Sequence, residues 1–168
     1  MFESNITFIG MPGAGKSTVG VVVAKLLCKT FIDGDILIQN REGKRLSTII
    51  DEIGNEAFLK LENNVLATLN VHNAVISTGG SAVFGKEAME HLKKTSTVVY
   101  LKVSYETLEK RLKNLKKRGV VCDEGQTLRD IYEIRTKLYE KYADITIESD
   151  NEGDVQDTAL KIVEYFNK

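Results

Sequence analysis

The sequence predicts an α/β fold, a P-loop three-layer α/β/α arrangement in which a five-stranded parallel sheet carries helices on both faces. Three observations lead there. Five short apolar or β-branched runs alternate with amphipathic helical segments along the chain. The string Gly10-Met11-Pro12-Gly13-Ala14-Gly15-Lys16-Ser17 stands between the first apolar run and the first helical pattern. The second and third runs end in Asp33-Gly34-Asp35 and Thr78-Gly79-Gly80-Ser81, and sheets of this kind bind ligands beyond the carboxyl ends of their strands.

The first strand is expected at 5–9, short and apolar as a buried parallel strand must be. A helix follows at 17–28, with Val19, Val22, Val23, Leu26 and Leu27 at helical spacing. The second strand is placed at 29–32. From 36 to about 71 the pattern is helical, with segments at 37–41, 46–53 and 56–69 and a break at Gly43. The third strand takes 74–78, a helix 86–94 and the β-branched fourth strand 97–103. A Lys-rich amphipathic helix is expected at 105–117, then a polar loop at 118–126. Thr127 caps a helix running to Tyr142, with Leu128, Ile131, Ile134 and Leu138 on its inner face. The fifth strand falls at 144–148 and a closing helix at 155–166.

The 168 residues suit one domain, 1–168, with a substantial core. A net charge of −1 offers no attraction for nucleic acid or a membrane surface, so neither is expected as a partner. No signal peptide or membrane span is expected either. Cys28 and Cys122 have neither metal-ligand nor redox spacing; Cys28 is expected buried, Cys122 exposed, and a reducing, cytoplasmic setting fits both. His72 and His91 are expected to face solvent, without a role.

The glycine string is built for anion capture. Gly10, Gly13 and Gly15 let backbone N–H groups approach phosphate oxygens, and the helix that follows adds its positive end. Lys16 reaches the β- and γ-phosphates and the Ser17 hydroxyl can ligate Mg²⁺. Residues Gly13, Ala14, Gly15, Lys16, Ser17 and Thr18 thus form the nucleotide cradle, which Pro12 stiffens.

Asp33 and Asp35 admit two readings: metal support through water with proton acceptance by the second carboxylate, or a cap by Asp35 on the next helix. Gly79 and Gly80 either offer N–H groups to a substrate oxygen or form an ordinary strand-to-helix turn. Arg118 is the candidate lid cation, while Lys113, Lys116 and Lys117 read as a solvated helix end. A guanidinium at Arg135 can hold a substrate carboxylate bidentately, or lie on the surface.

Together these residues resemble the shikimate kinase family over essentially the full length. The matching pieces are Gly10 to Thr18, Asp33-Gly34-Asp35, the helix of Gly54, Glu56, Phe58 and Glu62, Gly79-Gly80, Val98 to Leu101, and Arg135 through Leu138-Tyr139 to Ala143-Asp144. The resemblance implies strand order 2-3-1-4-5, as in nucleoside monophosphate kinases, with ATP and Mg²⁺ as cofactors and a monomer as the usual state. It implies an acceptor-binding subdomain at 33–71 and a lid at 113–126. It assigns metal support to Ser17 and Asp33, acceptor activation to Asp35 and acceptor contact to Gly79, Gly80 and Ser81. It makes Arg118 the lid arginine, sets Arg111 beside adenine and has Arg135 hold the acceptor carboxylate.

Three positions depart from the family pattern. Leu59 stands where an arginine usually joins Arg135, Ser81 where a third glycine is usual, and Gly119 follows Arg118 where proline is usual. Lys44 and Arg45 are candidate substitutes for the missing arginine. Shikimate is the leading acceptor, and another small hydroxy acid or polyol is the alternative. A gluconate-kinase-like reading shares the P-loop and Asp-Gly-Asp but not Arg135-x-x-Leu138-Tyr139. A reading of another class is a nucleotide-binding regulatory module without turnover.

Overall fold

The computed structural model describes residues 4–112, 120–150 and 155–167. Five parallel strands form one sheet: β1 (Asn5–Ile9), β2 (Thr30–Asp33), β3 (Ala74–Ser77), β4 (Ser96–Lys102) and β5 (Ile145–Glu148). Their order is β2-β3-β1-β4-β5, as expected, so β1 lies at the centre. Its register pairs Phe8 with both Ser77 of β3 and Val99 of β4. The Asn5 side chain fixes the entry to β3, donating to Val71 O at 2.8 Å and accepting from Ala74 N at 3.0 Å.

Period-two alternation splits the strand residues between two apolar layers. Ile6, Phe8, Val75, Val99 and Leu101 pack under α1 (Lys16–Leu26) and α8 (Val155–Phe166), against Val19, Val23, Ala159 and Ile162. Ile9, Ile76, Val98 and Tyr100 face the other way. There they meet α5 (Lys86–Thr95), α6 (Tyr105–Arg111) and α7 (Leu128–Tyr142) through Met89, Leu108, Ile131 and Tyr139. A smaller cluster of Ile38, Ile49 and Phe58 gathers α2 (Gly34–Glu42), α3 (Leu46–Ile53) and α4 (Asn55–Ala67), and Val121 closes it. No helix among the described residues is long and apolar enough to cross a membrane.

Several expectations change. Ile134 is exposed rather than on the inner face of α7, which is buried through Ile131, Arg135 and Tyr139, one helical turn apart. The second helix begins at Gly34 rather than 37, because Asp33 caps it by accepting from the N–H groups of Asp35 and Ile36. Cys28 is exposed, not buried: α1 ends at Leu26, and a left-handed turn at φ 53 carries the thiol off the apolar face. Cys122 is half-buried. His91 is half-buried too, its Nε2 lying 2.7 Å from Leu69 O, whereas His72 is exposed as expected. The Lys-rich helix is shorter than the expected 105–117: it ends at Arg111 with Leu112 as its C-cap, and Lys113, Lys116, Lys117 and Arg118 lie outside the described residues.

Candidate active site

A cavity of about 550 Å³ opens at the carboxyl ends of β1, β2 and β3, the edge where the glycine string, Asp35 and Gly79-Gly80 meet. Gly13, Gly15, Lys16, Ser17 and Thr18 form one wall. Gly15 caps α1 with φ 89, a left-handed conformation that a side chain would strain. Ala14 turns its methyl into the core beneath, and its N–H bonds to Met11 O at 3.1 Å. Lys16 is buried at 7% exposure, and its Nζ donates to Gly10 O at 2.8 Å and Met11 O at 2.9 Å. Burial lowers its pKa to about 8, with the charge of Asp35 working the other way.

Asp33 and Asp35 separate into two tasks. The Ser17 hydroxyl donates to Asp33 Oδ2 at 2.6 Å, and Ser77 Oγ lies 3.2 Å from it. These oxygens form a hard, oxygen-only donor set of the kind that suits Mg²⁺. Asp33 Oδ1 is committed to the helix cap. Asp35 is therefore not the cap, and its carboxylate lines the cavity. Burial and the neighbouring Asp33 raise its pKa, while Lys16 opposes the rise.

The floor is Gly79-Gly80-Ser81. A Cβ on Gly79 would stand 2.5 Å from Glu62 Oε1 and 2.7 Å from Asp35 Oδ1, so only glycine lets both carboxylates crowd this turn. Tyr139 donates from its hydroxyl to Gly80 O at 2.6 Å and fixes the backbone there. Arg135, at 3% exposure, is no surface arginine. Its Nη2 donates to Val121 O. Its Nη1 is buried without a hydrogen-bond partner among the described residues, and lies 3.1 Å from where a Gly80 Cβ would stand. A buried guanidinium with an unmet donor beside the floor is a ready partner for a carboxylate.

The remaining candidates sit apart. Arg111 Nη1 donates to Gly13 O at 3.2 Å, outside the glycine string. Leu59 lines a second cavity of about 360 Å³ with Phe84 and Ile134, and the two cavities share Val121 and Arg135. Lys44 pairs with Glu52 at 2.5 Å and Arg45 is exposed; neither lines these cavities. Arg118 lies outside the described residues.

Sequence reasoning assigned no role to Glu62, which is 2% exposed and accepts from the Ser81 hydroxyl at 2.6 Å. Burial raises its pKa to about 7, against the hydrogen bond from Ser81. One signal was available: Glu62 stands four residues after Phe58 and four before Leu66, inside the buried stripe of α4.

The shikimate kinase family model matches residues 12–166. The chain is 40% identical over 155 residues to the shikimate kinase of Pasteurella multocida strain Pm70, covering 90% of this chain and 89% of that one. Among solved structures, shikimate kinase from Acinetobacter baumannii in complex with shikimate superposes with a TM-score of 0.86 at 34% identity, covering 98% and 93% of the two chains. Shikimate kinase from Aquifex aeolicus gives 0.81 at 31%, covering 97% and 96%. With its glycine string, a carboxylate lining the same cavity and relatives of one kind over nearly its whole length, the chain is a kinase and belongs to the shikimate kinase family.

Proposed function

We propose that this protein transfers the γ-phosphoryl group of ATP to a ring hydroxyl of shikimate, giving shikimate 3-phosphate. One observation carries the reading: Asp35 lines a single cavity together with Lys16, Ser17 and Arg135, whose Nη1 is buried and unmet among the described residues. An alcohol that carries a carboxylate at a fixed distance is the ligand those three stations suit.

Lys16 and the N–H groups of the glycine string hold the phosphates and offset the charge that spreads over the transferring group. Ser17, with Asp33 through water, would hold Mg²⁺, which when bound neutralises phosphate charge. Asp35 accepts the hydrogen bond of the acceptor hydroxyl and takes its proton, and its raised pKa makes it the better base. Arg135 binds the acceptor carboxylate, while Gly79 and Gly80 keep the floor low enough for a ring. Arg118 is assigned the lid cation and Arg111 the adenine side, on the strength of the family pattern. Two free thiols and the use of ATP suit the cytoplasm, and we assign a monomer.

The test is ADP formation from ATP and Mg²⁺ with shikimate, beside a panel of other hydroxy acids and polyols, with the product identified by ³¹P NMR. Shikimate-dependent turnover that falls by at least about 10²-fold in Lys16→Ala is the expected result. Turnover with a different panel member alone would reassign the acceptor. ATP binding without turnover on any of them would make the chain a regulatory module.

A further inference from the structure

Two of the departures from the family pattern, Leu59 and Ser81, bear on the same buried carboxylate, Glu62, the first by its spacing on α4 and the second by a hydrogen bond. Ser81 donates to Glu62 Oε2 at 2.6 Å, and both residues are at most 5% exposed. Leu59 precedes Glu62 by three residues on α4, the spacing at which helical side chains meet. A cation at 59 would therefore pair with Glu62 along the helix. With leucine there, the hydroxyl at 81 takes its place, donated from the other side of the group. The other charged groups facing Glu62 are Asp35 from α2, Arg135 from α7 and Lys16 from α1. Its second oxygen crowds the Gly79 turn beside Asp35.

We propose that Ser81 is a positioning residue of the acceptor site, holding Glu62 by its hydroxyl in place of a cation at position 59, so that positions 59 and 81 work as one exchanged pair. This rests on reading the cavity as the acceptor site. Glu62 sets where Asp35 and Arg135 stand, and the Ser81 hydrogen bond sets where Glu62 stands. A buried carboxylate that loses its last neutral donor turns towards Arg135 and competes with the acceptor for the guanidinium.

The experiment titrates the side-chain carboxyls of ¹³C-glutamate-labelled protein, the Glu62 signal being assigned by its disappearance in Glu62→Gln. Ser81→Ala should move the Glu62 titration to higher pH, because a hydrogen bond that favours the charged form is gone. Leu59→Arg added to Ser81→Ala should bring it back down. Ser81→Gly, which adds no atoms, should repeat the first shift if Ser81→Ala fails to fold. In kinetics, Ser81→Ala should raise the KM for shikimate roughly tenfold and leave the KM for ATP within about twofold, with Leu59→Arg restoring the loss. An unmoved Glu62 titration in the Ser81 variants overturns the proposal, as does a Leu59→Arg effect that is the same with and without Ser81. A wild-type protein that ignores shikimate overturns the acceptor assignment instead, and the carboxyl titration still decides the pairing.

Discussion

The Asp33 carboxylate joins two elements: Oδ2 accepts from the Ser17 hydroxyl of α1 at 2.6 Å, while Oδ1 accepts the Asp35 and Ile36 N–H groups that open α2. The phosphate-binding helix and the helix that presents Asp35 are thereby tied through one side chain. Asp33→Ala should cost about 1 kcal/mol of stability for the lost cap. Asp33→Asn keeps an oxygen for the cap and should restore most of that stability without restoring turnover. Denaturant melts and kcat measured on both variants separate the two tasks, and parallel recovery of both would contradict the division.

Asp35→Asn should lower kcat by about 10²- to 10⁴-fold while the nucleotide dissociation constant stays within about twofold. The reason is placement. Asp35 lines the cavity from α2, whereas Lys16 and Ser17 belong to the glycine string and Asp33 is bonded to Ser17. Calorimetric titration of the variant with an ATP analogue checks it, and a matching loss of nucleotide affinity would assign Asp35 to the metal.

Arg135→Leu should raise the KM for the acceptor by about 30-fold or more, since a buried hydrogen-bonded ion pair is worth about 2–5 kcal/mol. Arg135→Lys should recover only part of it, because an ammonium cannot donate to Val121 O and to a carboxylate in the same planar fork. An acceptor analogue with a neutral amide for its carboxylate should bind the wild type and Arg135→Leu alike.

Glu62→Gln tests the electrostatics of the floor. Burial holds the Glu62 carboxyl up at about 7, above the value of about 4.3 expected for an unfolded chain. Below the unfolded value both states are protonated and the group contributes nothing. As pH rises from the unfolded value to the folded one, the unfolded chain releases its proton while the native state keeps it, so the native state loses stability until the folded value is passed. Glu62→Gln has no such loss, and its Tm should gain on the wild type between pH 5 and pH 8, by at most about 3 kcal/mol of stability. A Tm difference that is flat with pH would mean that Glu62 titrates alike in the folded and unfolded states.

The sequence made the phosphate cradle legible because it is local: the glycine string, its flanking strand and its helix lie within 22 residues of chain. The bounds of α3, α7 and α8 were readable for the same reason, with Thr127 and Asp130 forming a capping box, but the inner face of α7 was not, since it buries Arg135 and leaves Ile134 exposed. What stayed hidden depends on distant partners. Which of Asp33 and Asp35 caps α2 is decided by Ser17 and the cavity, not by the Asp-Gly-Asp string. Arg135 looked like any helical arginine because Val121, Phe84 and Gly80 bury it from three other segments. Glu62 is defined by Ser81, nineteen residues on, and by a turn that only glycine permits. Cys28 was misplaced for a smaller reason, a left-handed residue just past the end of α1.

The central place of β1 bears on how the protein is made. Its two neighbours are β3, paired through Ser77, and β4, paired through Tyr100, so the earliest strand to leave the ribosome waits for most of the others. Contacts this remote in sequence form slowly. The glycine string is thus synthesised before both strands that lock β1 beside it. Stalled nascent chains should take up an ATP analogue only once β4 has emerged, and uptake by shorter chains would show that the loop organises itself without its sheet.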